Sequence, residues 1–338
     1  MKACLVSRFF DLRNGGVGRY SMELLERLRK MRNVEVKTIS QEDGIPLGEG
    51  MAKYFLFSLF ESRFKIPSAD IYHALSPIEA INSPSPLLTT FHDLIPITHP
   101  DKVTEKHCGS FLERSIKSNY FKMACSRAVE NSDLLASVSQ QTKKQLIEKF
   151  DVEEGKIEVI RHGISPELEP ESKKDEVFRA GTLSFLGPRK RTDLLIRSFL
   201  GADVDGELAI AGEGRMMKRL KEIARGDDRV NFLGFVPEEE VKDFYNSLDV
   251  FVFPTELEGY GLPAVEAMAC KVPVVTLSDA VIPEDIKSKT IVVGDLKGWL
   301  ENPDFSDIDL KENYEFAKEH DWEKSAKKHA EIYRTLIE

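Results

Sequence analysis

Two glutamates with seven residues between them, Glu258 and Glu266, flank a glycine-rich turn in the second half of the chain. The turn follows an apolar run at 249–253, and Pro263 suits the start of a helix. Such a helix would point free backbone N–H groups at an anion, and carboxylates accept hydrogen bonds from neighbouring hydroxyls. The segment predicts a site for a ligand that carries phosphates and sugars. The simpler alternative to a ligand site is that Glu258 is solvated and that Glu266 only interacts favourably with the helix dipole.

A basic turn lies earlier in the same half of the chain. The apolar run 177–186 is followed by Arg189, Lys190 and Arg191, and a helical pattern comes next. Three adjacent cations at the end of a strand could neutralise a diphosphate. A solvated basic turn is the alternative, and the local sequence alone favours it.

The first half contains a glycine-rich turn at Gly15, Gly16 and Gly18, between an apolar run at 3–7 and a helix expected over 21–31. Glycines let a backbone approach a phosphate closely. The dinucleotide fingerprint needs a third glycine three positions after Gly18, where this chain has serine, so a Rossmann dehydrogenase is disfavoured. An ordinary glycine turn is the alternative.

His92 directly follows the apolar run 87–91 and could present a hydrogen-bonding group at a strand end. With His99 and His107 it could also be imagined as a metal site, but the spacing matches no helix face. Asp203-x-Asp205 has the D-x-D spacing of a carboxylate metal site, yet it precedes its strand, at the wrong end for a ligand. No metal is expected.

These residues must be positioned by strands that alternate with helices in both halves of the chain. That rhythm predicts an α/β protein with two doubly wound Rossmann-like domains facing across a cleft. We expect domains at 1–165 and 166–320, followed by a helix at 321–338 that could pack back on the first domain. In such sheets ligands bind at the carboxyl ends of the strands, where the motifs above fall.

The composition is that of a globular protein with 338 residues, 41% hydrophobic, and a net charge of −10. No basic surface favours nucleic acid. Four scattered cysteines, the lack of a signal-like start and the lack of a long apolar run predict a reduced cytoplasmic protein. The aromatic stretch 54–60 predicts core packing, with an acceptor site, a lipid-carrier site or a membrane contact as alternatives.

The segment 258–269, EGYGLPAVEAMA, resembles the E-x7-E signature of the family 4 retaining glycosyltransferases, which have the GT-B fold. Further segments resemble that family and follow its order along nearly the whole chain. They are GGVGRY, FHDLIPITHP, SVSQQTKKQL, VIRHGI, PRKR, AGEGR, VNFLGFVPEEEV and DVFVFPTELEGYGLP. The HDL-x-P segment is common in the mannosyltransferase-like members.

The resemblance implies roles for individual side chains. His92 would face the transferred sugar, and Lys190 with Arg189 would hold the diphosphate leaving group. Glu258 would bind hydroxyls of the transferred sugar, and Glu266 would bind those of the ribose.

Backbone positions would complete the implied donor site. The diphosphate would be approached by Gly15, Gly16 and Gly18. The phosphate pocket would be lined by Gly259, Tyr260, Gly261 and Leu262, and the base would lie beside Gly234, Phe235 and Val236.

The sequence departs from the family at three positions. Pro188 stands where many members have arginine, so either Arg189 or Arg191 could be the basic partner of Lys190. Lys271 replaces the usual glycine after the helix, and lysine costs about 1 kcal/mol there if the backbone is left-handed. His162 replaces the common asparagine of the segment between the domains.

The resemblance implies transfer of a hexose, without a metal cofactor and with retention of anomeric configuration. GDP-mannose is favoured as the donor over UDP- or ADP-sugars, and the acceptor would be a glycan, a lipid-linked sugar or a small polyol. A peripheral membrane contact is left open. A GT-B sugar-nucleotide epimerase and a catalytically silent partner subunit are the alternatives, although the chain keeps His92, Lys190, Glu258 and Glu266.

Overall fold

The computed structural model describes residues 1–11, 15–40, 66–100, 111–172 and 176–338. These residues divide into two compact units. Unit 1 is Met1–Gly163 with Trp322–Glu338, and unit 2 is Ile164–Asp321. The chain therefore leaves unit 1 after Gly163 and returns to it at Trp322. The aromatic stretch 54–60, His107 and Cys108 lie outside the described residues.

Unit 1 is built on a sheet of six parallel strands in the order β2-β1-β3-β4-β5-β6. Its strands are β1 Lys2–Val6, β2 Glu35–Ile39, β3 Ile71–Ala74, β4 Leu87–Phe91, β5 Leu134–Ser137 and β6 Ile157–Val159. Val6 pairs with both Ile39 and Ala74, so the carboxyl ends of these three strands are level. Strands β1, β3 and β4 are largely buried apolar runs, as in a parallel sheet covered on both faces.

Helices cover this sheet. They are α1 Gly15–Lys30, α2 Ile95–Thr98, α3 Phe111–Asn131 and α4 Gln140–Phe150. The first helix begins at Gly15, so the prediction of a helix over 21–31 after a glycine turn was too short, and the glycines lie in the first turn of α1. Leu24, Leu25 and Leu28 bury one face of α1 against the core.

Unit 2 has a second sheet of six parallel strands in the order β12-β11-β10-β7-β8-β9. The strands are β7 Arg179–Leu183, β8 Glu207–Ala211, β9 Val230–Gly234, β10 Val250–Phe253, β11 Val274–Leu277 and β12 Ile291–Val293. Its helices before the last crossover are α5 Thr192–Gly201, α6 Met217–Ala224, α7 Glu238–Asn246, α8 Leu262–Ala269, α9 Glu284–Lys287, α10 Leu296–Glu301 and α11 Leu310–Lys318.

The final helix, α12 Trp322–Ile337, belongs to unit 1, where Trp322, Ala326, Ala330 and Tyr333 enter the core beside α1.

Two further observations concern the helices and the cysteines of both units. Among the described residues no helix is both long and apolar enough to cross a membrane. The described cysteines, Cys4, Cys125 and Cys270, are buried and not in disulfides.

Candidate active site

The strand order of unit 2 reverses between β7 and β10. Strands β8 and β9 lie outward from β7 on one side, whereas β10, β11 and β12 lie on its other side. At such a switch point the two following loops diverge and leave a crevice at the carboxyl edge, the usual ligand site in open α/β sheets. Here those loops are the basic turn Pro188–Lys190 after β7 and the segment 254–261 after β10. The two strongest motifs of the second half therefore meet.

The Glu258 carboxylate lies at the contact between these two loops. Its Oε1 accepts hydrogen bonds from Lys190 Nζ and, at 2.9 Å, from Thr255 Oγ1. Arg189 Nη1 lies 3.4 Å from its Oε2. Burial alone would raise the pKa of Glu258, but Lys190 and Arg189 outweigh it, and the pKa lies below its ordinary value. Glu258 is therefore ionised at neutral pH.

The basic turn is fixed to the acidic segment by further contacts. Glu256 N–H donates to the Arg189 carbonyl at 2.9 Å, and the Arg189 guanidinium donates to the Leu257 carbonyl. Arg191 instead pairs with Asp279 at 2.8 Å and with Glu256 at 3.0 Å. Of the two arginines left open by the sequence, the structure places Arg189 beside Lys190 and Glu258.

Helix α8 begins directly after this segment. Gly261, with φ +110°, is its N-cap, a conformation that side chains other than hydrogen rarely adopt. Leu262 is half-buried beside it, and Gly259 and Tyr260 are buried. The helix thus starts at the carboxyl edge of the sheet, as the sequence predicted. At its other end Lys271 has φ +56°, which is the left-handed geometry expected of the missing glycine.

Glu266 lies inside the same helix and is 1% exposed. Its Oε2 accepts a hydrogen bond of 2.8 Å from the Tyr245 hydroxyl at the end of α7. The side chain that the resemblance assigns to ribose is therefore held beneath the surface by a tyrosine that the sequence did not single out.

The segment Gly234–Val236 lies at the same carboxyl edge, after the edge strand β9 and two strands away from β7. Gly234 has φ +71°, and its carbonyl accepts from Gly212 N–H at 2.6 Å. Phe235 is 57% exposed. An aromatic face is therefore available on this edge.

Unit 1 has its own switch point, between β1 and β3. Arg8 follows β1, and its backbone N–H and Nε donate to Oε1 of Glu79 at 3.1 and 2.8 Å. Glu79, which follows β3, is 1% exposed and also accepts from Ser76. A buried carboxylate thus anchors an arginine at this edge. The sequence did not single out either residue, because neither belongs to a local motif.

His92 follows β4 at the same edge, next to that switch point. Its Nε2 lies 2.8 Å from the Leu75 carbonyl, so Nε2 must carry the hydrogen. Burial lowers the pKa of His92 to about 4, and the charge of Arg8 acts in the same direction. The imidazole is therefore neutral at pH 7, with its lone pair on Nδ1.

The predicted glycines stand in the first turn of α1. Gly15 has φ +67°, and a Cβ added at Gly15 or Gly16 would meet no described atom within 4 Å. Gly18 is buried. Among the described residues, none crowds the Cα of the first two glycines.

A chain of hydrogen bonds beneath His92 ties the final helix to the sheet. Tyr333 O–H donates to His73 Nδ1 at 2.6 Å, and His73 Nε2–H donates to Thr90 Oγ1 at 2.8 Å. Thr90 donates to the Tyr20 hydroxyl at 3.0 Å, and Tyr20 donates to His329 Nε2 at 2.9 Å. Burial lowers the pKa of His329 to about 4 and that of His73 well below its ordinary value, so both rings are neutral at pH 7. The direction is then fixed, because His329 Nδ1 faces a backbone carbonyl at 2.8 Å and donates to it, which leaves Nε2 as the acceptor.

The described residues contain no group of three or more His, Cys, Asp or Glu side chains that could hold a metal ion. Asp203 and Asp205 precede β8, at the amino end of that strand. The cationic side chains that contact Glu258 are those of Lys190 and Arg189.

Comparisons with known proteins agree with this architecture. The profile described as "Glycosyl transferases group 1" matches residues 165–333, and "Glycosyltransferase Family 4" matches residues 14–168. O-antigen chain mannosyltransferase B of Escherichia coli is 25% identical over 340 residues, covering 87% of this chain and 84% of that protein.

Two solved structures share the fold. Sucrose-phosphate synthase (tll1590) from Thermosynechococcus elongatus has a TM-score of 0.74 at 17% identity and covers 100% of this chain and 99% of its own. Anabaena Alr3699/HepE, solved in complex with UDP-glucose, has a TM-score of 0.71 at 17% identity and covers 99% and 100%.

Two doubly wound parallel units, with a basic turn and a glutamate–glycine segment meeting at a switch point, define an enzyme of the GT-B class. The chain belongs to the glycosyl transferases group 1, within glycosyltransferase family 4. It is a glycosyltransferase.

Proposed function

We propose that this glycosyltransferase moves a hexosyl group from a nucleoside-diphosphate sugar to a hydroxyl acceptor. The observation that carries the proposal is the meeting of Lys190, Arg189 and Glu258 at the switch point between β7 and β10. This arrangement sets two cations beside a carboxylate at the start of a helix. Cations suit a departing diphosphate, and a carboxylate suits sugar hydroxyls.

The chemistry needs that pairing. Cleavage of the anomeric bond leaves positive charge on the sugar and negative charge on the diphosphate oxygen. Lys190, Arg189 and the N-terminus of α8 would stabilise the departing charge, which requires no metal ion. We propose retention, with the acceptor oxygen attacking the face that the diphosphate leaves and a diphosphate oxygen taking the acceptor proton.

The remaining predicted residues take supporting roles in the proposal. Glu266 would bind ribose hydroxyls beside the hydrogen bond that its Oε2 accepts from Tyr245. Phe235, with its exposed ring, would lie beside the base together with Gly234 and Val236. Gly259, Tyr260, Gly261 and Leu262 would line the phosphate pocket.

On unit 1, the Nδ1 lone pair of His92 would accept a hydrogen bond from a hydroxyl of the transferred sugar. Gly15 and Gly16, which no described residue crowds, would let the backbone approach the diphosphate, with Gly18 in the same turn of α1. These roles follow the position of each group at the carboxyl edge of its own sheet.

Mannose is the sugar we propose, and GDP-mannose the donor in preference to UDP- or ADP-sugars. The support is the HDL-x-P segment and the similarity to an O-antigen chain mannosyltransferase. The acceptor we propose is a glycan, a lipid-linked sugar or a small polyol. A peripheral membrane contact in the cytoplasm would suit a lipid-linked acceptor.

The test is incubation of the purified enzyme with GDP-mannose, UDP-glucose or ADP-glucose in EDTA, with and without mannosyl and polyol acceptors. Mannosyl transfer in EDTA, with the product anomer matching the donor by NMR, supports the proposal. Isomerised sugar nucleotide without an acceptor would indicate the epimerase. Failure of GDP, UDP and ADP to raise the melting temperature would favour a silent subunit.

A further inference from the structure

The ring of His162 lies parallel to the ring of His92, with 5.5 Å between centroids and 1° between planes. His162 is 5% exposed and stands one residue before the chain leaves unit 1. The resemblance marks this position as one where the family commonly has asparagine. In this chain an aromatic ring instead covers one face of the candidate sugar-binding histidine.

Two other rings hold His162 in place. Tyr20 meets His92 and His162 edge-on, at 4.8 and 5.0 Å and at 79° to each. Trp322, the first residue after the chain returns to unit 1, lies 5.6 Å from His162 at 61°. The hydroxyl of Tyr20 is fixed by its bonds to Thr90 and His329. The His162 ring is therefore packed against two buried rings, of which Tyr20 is itself fixed by hydrogen bonds.

The hydrogen bond to Leu75 fixes only one atom of the His92 ring. Nε2 donates to that carbonyl, but the ring could still turn about this hydrogen bond and change the direction of Nδ1. Stacking against His162 opposes such rotation, since turning the ring would break a parallel contact between two planes. Arg8, the charged side chain at the same edge, is held by Glu79.

We propose that His162 is a positioning residue that keeps the Nδ1 lone pair of His92 aimed at a hydroxyl of the transferred sugar. This inference rests on the proposed function. The consequence is selectivity between donor sugars. His92 Nδ1 can accept a hydrogen bond from a sugar that has a hydroxyl at that point, whereas a sugar that lacks this hydroxyl forms no such bond. His162 touches no reacting atom and acts through His92.

The experiment compares His162→Asn with His162→Phe, which keeps a flat ring, and with His99→Asn as a matched control in the same unit. The first readout is the ¹⁵N NMR spectrum of His92 in the protein alone, assigned with His92→Gln. We expect one Nε2–H tautomer in the parent, the Phe variant and the control. In His162→Asn we expect mixed tautomers and a rise in the His92 pKa of about one unit or more.

The second readout is donor kinetics with GDP-mannose and its monodeoxy analogues. We expect kcat/KM of His162→Asn to fall about tenfold, the scale of one hydrogen bond, with GDP affinity unchanged. One deoxy position should penalise the parent, and that penalty should shrink in His162→Asn. His162→Phe should stay within about threefold of the parent.

Several results would overturn the inference. A single tautomer and parental kinetics in His162→Asn would show that the stack does not position His92. Equal damage in His162→Phe and His162→Asn would show that stacking is not the cause. If no sugar nucleotide is used, the proposed function fails separately, and the NMR comparison still decides whether His162 holds His92.

Discussion

Lys190 donates a hydrogen bond to Glu258, and this ion pair joins the loop after β7 to the loop after β10. The cation that we assign to the leaving group and the carboxylate that we assign to the sugar are thus in contact across the switch point. Each orients the other, so the two roles should be coupled but separable by substitution.

Replacing Glu258 should separate them in one direction. In Glu258→Ala the sugar loses its carboxylate, while Lys190 and Arg189 remain available to the diphosphate. We expect transfer to fall at least about 100-fold and GDP affinity, measured by calorimetry, to change less than about threefold. Glu222→Ala, at an exposed position on α6, is the control. Equal loss of transfer and GDP binding would refute the role of Glu258.

Replacing Lys190 should act on the leaving group. We expect Lys190→Ala to lower kcat by about 10²–10³, the usual effect of removing one preorganised charge-stabilising donor. Arg191→Ala is the matched control in the same turn, because Arg191 pairs with Asp279 and Glu256 instead. Steady-state kinetics with saturating donor gives the answer. A larger loss from Arg191→Ala would reverse the assignment.

The bond from Tyr245 to Glu266 should contribute to stability. Tyr245→Phe leaves one oxygen of a carboxylate that is 1% exposed without this donor, which should cost about 1–3 kcal/mol of unfolding free energy. Urea denaturation measures it, with Tyr314→Phe in the same unit as the control. An unchanged urea midpoint would show that the hydrogen bond makes no net contribution to the free energy of unfolding.

The chain of hydrogen bonds through His73 and His329 should make unit 1 sensitive to acid. Burial lowers the pKa of His329 to about 4 and that of His73 well below its ordinary value. The unfolded chain then binds more protons below pH 6.5, so stability is full above that pH and declines as the pH falls toward 4. The slope is about 1.4 kcal/mol per pH unit for each histidine.

Urea unfolding between pH 7.5 and pH 5 measures that slope. His329→Gln removes one titrating ring and should reduce the slope by about one histidine's share. An unchanged slope in the variant would show that His329 is not one of the groups responsible.

Gly163 should tolerate no larger residue. A Cβ there would lie 2.2 Å from the backbone nitrogen of Trp322, far inside contact distance. We expect Gly163→Ala to cost about 3 kcal/mol by overpacking. Gly155→Ala is the control, since a Cβ at Gly155 meets nothing within 4 Å. Comparable melting temperatures for the two variants would contradict the prediction.

The doubly wound α/β architecture and the strand ends were predictable because apolar runs, glycines and Pro263 leave local signals, whereas the GT-B class rested on the resemblance of the ordered motifs to a known family. The same local logic brought the basic turn and Glu258 to one sheet edge. Arg8 and Glu79 carried no such signal, because they are 71 positions apart and become neighbours only when β1 and β3 pair.

The start of α1 and the burial of Glu266 were also beyond local pattern. Glycines at 15, 16 and 18 weaken helix propensity, yet packing of Tyr20, Leu24 and Leu28 in the core extends the helix over them. Glu266 is charged and would be placed at a surface, but the Tyr245 hydroxyl satisfies it inside. The start of α1 and the burial of Glu266 both depend on tertiary contacts, which sequence spacing does not show.

The two ends of unit 2 meet. Ile164 and Asp321 form a parallel β-bridge, and Ile164 N–H donates to the His320 carbonyl at 3.1 Å. In genetic terms the codons of unit 2 form one continuous cassette between the two parts of unit 1, and the entry and exit of the encoded unit lie side by side. Exchange of residues 164–321 for the matching cassette of a relative would leave both splice points at one place. Under the function proposed above, such an exchange would carry the donor preference with it and leave in place the chain that returns α12 to its sheet.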